Sequence, residues 1–148
     1  MREHHKDTIN AVENCIRNSS QYKIIPKKFY DEKIRGDNKK GVWGYKPDVV
    51  MGRTDKTLEK LIIVEVENCW GNPSKVIEDI VLSASIKEVE MLIIITPYQR
   101  YIQSWFDLLS DNDMYPSIKR LNFKVIESKD EKDIEKVLYK MKELLGIK

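Results

Sequence analysis

Two glutamates close an apolar run, Leu61-Ile62-Ile63-Val64-Glu65-Val66-Glu67, and an aspartate, Asp48, follows Pro47 earlier in the chain. If the run is a β-strand, its period of two puts Leu61, Ile63, Glu65 and Glu67 on one face. Ile62, Val64 and Val66 then take the other. Both faces start apolar, as in a strand buried on two sides. One face then ends in two carboxylates about 6–7 Å apart along the strand. An ionised carboxylate drawn out of water costs several kcal/mol unless something cationic compensates it. Tyr45 to Gly52 reads as a preceding strand and Gly52 to Thr57 as a polar, glycine-led connection. An antiparallel hairpin is the simplest pairing, and it carries Asp48 to the same end. Acids converging there suit a hard divalent cation.

Pro47-Asp48, a hairpin's length, and then Glu65-Val66-Glu67 resembles the PD-(D/E)xK nuclease signature of the restriction-endonuclease-like superfamily. Glu67 stands where that family usually has lysine, which is the ExE variant seen among some restriction enzymes. The resemblance implies metal-dependent hydrolysis of phosphodiester bonds in nucleic acid, with DNA expected first. It implies that Asp48 and Glu65 bind Mg²⁺, or Mn²⁺ in its place, helped by the backbone carbonyl of Val66. Glu67 would position or deprotonate the attacking water, or help hold a second ion about 3.5–4 Å from the first. In this family a first-helix acid often joins the metal, and Glu13 is the residue that could do so here. From spacing alone, Glu13 reads equally as a flank residue paired with Arg17 at i+4. Many family members cut two strands as pairs, so the resemblance also raises a homodimer.

The elements that must position these residues follow from periodicity. A first helix is expected over about residues 7–18, with Ile9, Val12 and Ile16 as its stripe. Tyr22 to Ile25 is a short edge strand ended by Pro26. Asn72-Pro73 starts a helix to about Glu90, packed through Val76, Ile77, Ile80, Val81 and Ala84. Lys75 falls in its first turn, where the macrodipole disfavours a cation. Either it supplies the positive charge that Glu67 does not, or it pairs with Asp79 at i+4. Met91 to Thr96 is a buried strand, parallel to the Glu65 strand because a helix crosses between them. A helix over about 98–109 follows, stopped at Asp111-Asn112-Asp113, then an edge strand over 121–126. Ser128 and Glu131 read as a capping box for a last helix that Gly146 closes. The order is α-β-β-β-α-β with an added α-β-α. Over residues 7–96 it agrees with the αβββαβ core of the PD-(D/E)xK fold. The expectation is a single α/β domain, 1–148, with a mixed central sheet in three layers.

Between the first strand and the hairpin, Lys27, Lys28, Lys39, Lys40, Trp43 and Lys46 interleave bases with aromatics. Such a loop could hold a phosphate backbone and stack on bases. It could equally be a solvated loop whose Trp43 and Tyr45 anchor it to the core.

Composition bounds the alternatives. The 148 residues are 41% hydrophobic and 34% charged, which describes a globular chain. Lys+Arg 26 against Asp+Glu 24 leaves a net charge of only +2, so any basic footprint must be local. No apolar run approaches the ~18 residues of a membrane helix, and the start lacks the apolar stretch of a signal peptide. Cys15 and Cys69 have no CxxC spacing, so free thiols in a reduced, cytoplasmic setting are expected. His4 and His5 lack zinc spacing, and no phosphate-binding glycine motif occurs. Two rivals to an active nuclease remain. One is a nuclease-like fold, inactive through Glu67, that binds nucleic acid or serves assembly. The other is a structural ion-pair cluster of the acids with Lys46, Lys60 and Lys75.

Overall fold

The computed structural model describes residues 3–26, 47–55, 59–67, 73–113 and 115–147. The aliphatic, β-branched runs become strands, and they join in chain order into a five-stranded sheet. These are β1 (Tyr22–Ile24), β2 (Val49–Arg53), β3 (Leu61–Val66), β4 (Val89–Thr96) and β5 (Asn122–Glu127). The pairs β1–β2 and β2–β3 are antiparallel, whereas β3–β4 and β4–β5 are parallel. The protein is thus α/β with a mixed open sheet, and its β2–β3 hairpin and parallel β4 are as the sequence predicts.

Alternation along the central strands sorts the core into two clusters. Leu61 and Ile63 of β3, with Leu92 and Ile94 of β4, pack on α2 (Pro73–Ser85), α3 (Gln99–Ser110) and the one-turn α4 (Pro116–Lys119). Ile62, Val64, Val66, Ile93 and Ile95 pack on α1 (Glu3–Arg17) and α5 (Ile134–Leu145). Full burial of each such isoleucine contributes roughly 1.5–3 kcal/mol. Among the described residues no helix is long and apolar enough to cross a membrane.

Three local features depart from expectation. The helix predicted to reach Glu90 ends at Ser85, and β4 starts two residues before the predicted Met91. Arg120 explains the stop. Its Nη2 donates to the carbonyls of Ala84 (2.7 Å) and Ile86 (2.8 Å), and its Nη1 to that of Val89 (2.7 Å). One planar guanidinium thus satisfies carbonyls left over where the helix turns into the strand.

The buried face of α2 is also rotated from the predicted one. Val81 is exposed, and Asp79 and Ser83 turn inward beside Val76, Ile80 and Ala84.

At the last helix the expected capping box does not form. A 3₁₀ turn, Glu131–Asp133, precedes α5. Asp130 accepts from the Lys132 N–H at 2.8 Å, and Asp133 Oδ2 from the Lys129 N–H at 2.7 Å. Ser128 instead lies buried, with its hydroxyl unpartnered among the described residues. Gly146 closes α5 as predicted, at φ +69°, a left-handed conformation that costs glycine nothing.

Candidate functional site

The hairpin register fixes the first two acids. Val49 pairs with Val64, so the next position on each strand sets Asp48 beside Glu65. The two strand ends are held there by side chains. The Asp48 N–H donates to Glu65 Oε1 at 2.6 Å, and the Val66 N–H donates to Asp48 Oδ2 at 2.8 Å. Each carboxylate thereby caps a backbone donor on the opposite strand. Glu67, just past β3, is fixed through its own N–H, which donates to the Ile95 carbonyl at 2.9 Å.

Glu65 shares its face with Leu61 and Ile63, the face that α2 covers. The packing of Val76, Ile80 and Ala84 on that face brings Asp79 against Glu65, and their side chains share a hydrogen bond. These acids are deeply buried: relative exposure is 4% for Glu65, 5% for Glu67 and 3% for Asp79. Asp79 Oδ2 has no hydrogen-bond partner among the described residues.

Electrostatics follow from this crowding. Burial raises Glu65 well above the usual carboxylate range, and the charges of Asp79 and Asp48 add to the rise. Asp79 is pushed up to about 7, chiefly by burial, with Glu67 and Asp48 adding to it. The Glu65 hydrogen bond and the Lys75 charge pull the other way. Lys75 sits exposed in the first turn of α2. Partial burial works to lower its amine, but Asp79, Glu65, Glu67 and Asp48 outweigh it and raise it. The lysine therefore stands in the field of every acid in the group, Asp79 among them.

The other predicted residues are placed as follows. Val66 is buried on the opposite face, and its N–H serves Asp48. Glu13 is half-buried and pairs with Arg17, Nη1 to Oε2 3.2 Å, as its i+4 spacing suggests. No described hydrogen bond joins it to Asp48 or Glu65. His5 of α1 touches the site, its Nε2 lying 3.3 Å from Asp48 Oδ2. Lys27, Lys28, Lys39, Lys40, Trp43 and Lys46 all lie outside the described residues.

Sequence reasoning missed two participants, His5 and Asp79. His5 has no local signal, because the helix angle over the sheet decides what it meets. Asp79 has one: Val76, Asp79, Ile80, Ser83 and Ala84 follow the i, i+3, i+4, i+7, i+8 spacing of a covered helix face. An aspartate on that stripe must be buried.

Chemically the group is a cluster of carboxylates with, among the described residues, the Lys75 ammonium at its border. Among the described residues, no three His, Cys, Asp or Glu side chains are arranged so as to ligate a metal ion as they stand. The donor set nevertheless suits a hard divalent ion: it is carboxylate oxygen throughout, and a buried acceptor lacks a partner. In comparison with known proteins, the chain matches no family model, no curated protein and no solved structure.

Proposed function

We propose that this chain is a metal-dependent nuclease of the PD-(D/E)xK type, hydrolysing phosphodiester bonds in nucleic acid, with DNA as its substrate. The observation that carries the reading is the pairing of half-buried Asp48 with buried Glu65 at the open end of the hairpin. Burial, with the charges of Asp79 and Asp48 adding to it, raises Glu65 well above the usual carboxylate range, a cost that a cation would relieve. The order α1-β1-β2-β3-α2-β4 and the helices on both sheet faces agree with the restriction-endonuclease-like layering that this proposal requires.

In this reading Asp48 and Glu65 hold Mg²⁺ or Mn²⁺, each already oriented by a backbone N–H across the hairpin. A divalent ion held by them would supply Lewis-acid polarisation to the scissile phosphate and to an attacking water. Glu67, anchored by its backbone to β4, orients or deprotonates that water. Lys75, exposed above the acids, offers positive charge to the phosphate as negative charge builds on it. Its place at the N-terminal turn of α2 adds the positive end of the helix dipole. The basic stretch from Lys27 to Lys46 carries the nucleic acid, and two chains acting together cut the two strands of a duplex.

One observation favours a second reading, a nuclease-like fold that binds nucleic acid or serves assembly without cleaving. Glu65 and Asp79 share a hydrogen bond, so the two acids hold one another without a bound ion.

Calorimetric titration with Mn²⁺ of the wild type and of Glu65→Ala, beside a plasmid-nicking assay, tests the proposal. Micromolar binding lost in the variant, together with metal-dependent nicking, is the expected result. Absence of Mn²⁺ binding in the wild type would overturn the catalytic reading in favour of the second.

A further inference from the structure

The sheet ends in β5, which pairs with β4 and, among the described residues, with no strand on its other side. The Ser128 N–H donates to the Thr96 carbonyl, so in this parallel ladder Ser128, Ile126 and Lys124 turn their backbone groups toward β4. Phe123, Val125 and Glu127 therefore turn their N–H and C=O groups outward. Among the described residues, one bond meets that edge: the exposed Gln99 amide donates to the Val125 carbonyl at 3.5 Å. A cleft of about 420 Å³ lies along the same edge, between β5 and α5. Val125, Ile126 and Leu144 give it apolar surface, and Lys124, Lys136 and Lys140 line it as well. Lys124 shares the α5 side of the sheet with Ile126, and Lys136, Lys140 and Glu143 fall at i, i+4 and i+7 on one exposed face of α5. Among the described residues none of the three lysines has an ion-pair or hydrogen-bond partner. Of the two lining carboxylates, Glu127 and Glu143, the first already pairs with Lys129, Nζ to Oε1 3.4 Å. The cleft is thus positive on balance.

We propose, independently of the nuclease reading, that the β5 edge and this cleft take an extended acidic segment of a partner protein, which adds to the sheet as a further strand. Two features choose this occupant. The outward groups of β5 are donors and acceptors in equal number, which a peptide backbone matches. A phosphodiester backbone brings acceptors only and would leave the carbonyls of Phe123 and Glu127 unmatched. The charge decides against a second copy of this chain, because β5 beside β5 would bring the same three lysines face to face. In an acidic strand, side chains on alternate residues share one face, so they meet Lys124, Lys136 and Lys140 together while the backbone takes the edge. The open stretch from Phe123 to Glu127 spans roughly 13 Å, so a short segment suffices.

The test uses the full chain and a fluorescein-labelled peptide of alternating valine and glutamate, read by fluorescence anisotropy. Micromolar binding to the wild type is expected, weakened at least tenfold in Lys140→Glu and in Val125→Pro. The Val125 N–H faces outward, so proline there removes an edge donor without breaking the β4 ladder, and the fold should persist. A copy of the peptide N-methylated at alternate residues cannot donate along one edge and should bind the wild type at least tenfold more weakly, whatever any variant's folding. Equal binding of the two peptides, or no binding of either, would overturn the proposal. A DNA oligonucleotide whose affinity falls in Lys140→Glu and in Val125→Pro would assign the cleft to nucleic acid and overturn it too. So would a wild-type dimer in sedimentation that dissociates in Val125→Pro, since a second copy would then hold the edge.

Discussion

Asp48 and Glu65 hold each other's strands: the N–H of Asp48 ends on Glu65 Oε1, and Asp48 Oδ2 takes the N–H of Val66. The acids of the proposed site therefore also finish the hairpin, and substitutions separate the two roles. Glu65→Gln keeps an oxygen for the Asp48 N–H and removes a buried charge. It should be as stable as wild type or up to about 2 kcal/mol more so at pH 8, while losing Mn²⁺ binding. Glu65→Ala leaves that N–H without its acceptor and opens a void, so it should cost about 2–4 kcal/mol. Urea unfolding of the two variants side by side checks the contrast, and equal destabilisation in both would contradict it.

Stability without metal should fall as pH rises. In the folded chain Asp79 titrates near pH 7, against an ordinary value of 3.8. Between those values the folded state keeps a proton that the unfolded state has released, so stability declines across the window. Above about pH 7 the Asp79 contribution levels off. Glu65 is shifted in the same direction and steepens the decline. Urea midpoints measured in EDTA from pH 4.5 to 8 should decrease for wild type and change less for Asp79→Asn. A wild-type midpoint that climbs over this range would sink the assignment.

His5 and Glu13 lie on the same helix yet should behave differently. The His5 ring touches Asp48 Oδ2, so His5→Ala should weaken Mn²⁺ binding about tenfold through loss of orientation, as second-layer partners typically do. Glu13 pairs only with an exposed arginine among the described contacts, so Glu13→Ala should change stability by no more than about 0.5 kcal/mol. It should leave Mn²⁺ affinity alone. Calorimetry on both variants decides which residue connects α1 to the acids.

Arg120 makes a prediction away from the site. Its guanidinium serves the carbonyls of Ala84, Ile86 and Val89 at once. Arg120→Ala should destabilise the protein by roughly 2–3 kcal/mol, since the carbonyls lose charged donors. Arg120→Lys should recover less than half of that, because a single ammonium cannot match the fork. Full rescue by lysine in urea unfolding would show that charge alone matters.

Much of this architecture is readable from the chain because it is local. The alternation of Leu61, Ile63 and Glu65 fixes the face of each residue, and the polar connection after Gly52 fixes the hairpin. The helix between β3 and β4 fixes their parallel sense. What escaped reading depends on partners distant in sequence. Ser85 ends α2 because Arg120 arrives from beyond β4, and Val81 is exposed because the helix settles with Asp79 inward. The expected Ser128 cap gives way to a 3₁₀ turn before α5, where Asp130 and Asp133 accept from the Lys132 and Lys129 N–H groups instead. The site divides the same way. Asp48, Glu65 and Glu67 were legible as a strand-end pattern, whereas His5 and Asp79 join them only through helix placement.

The two faces of the sheet close at different moments as a ribosome delivers the chain. The face carrying α2 and α3 finds its partners within a short span of sequence. The other face seats Val12 and Ile16 of α1 against Val137, Met141 and Leu145 of α5, and the Tyr22 hydroxyl against the Leu145 carbonyl at 3.0 Å. Those partners are synthesised after every strand of the sheet. A nascent chain that already holds β2, β3, β4 and α2 thus has its acids placed on one face while α1 still lacks α5 on the other. That face closes only when α5 has left the exit tunnel, so exposure to chaperone capture or misassembly lasts until after β5 has been made.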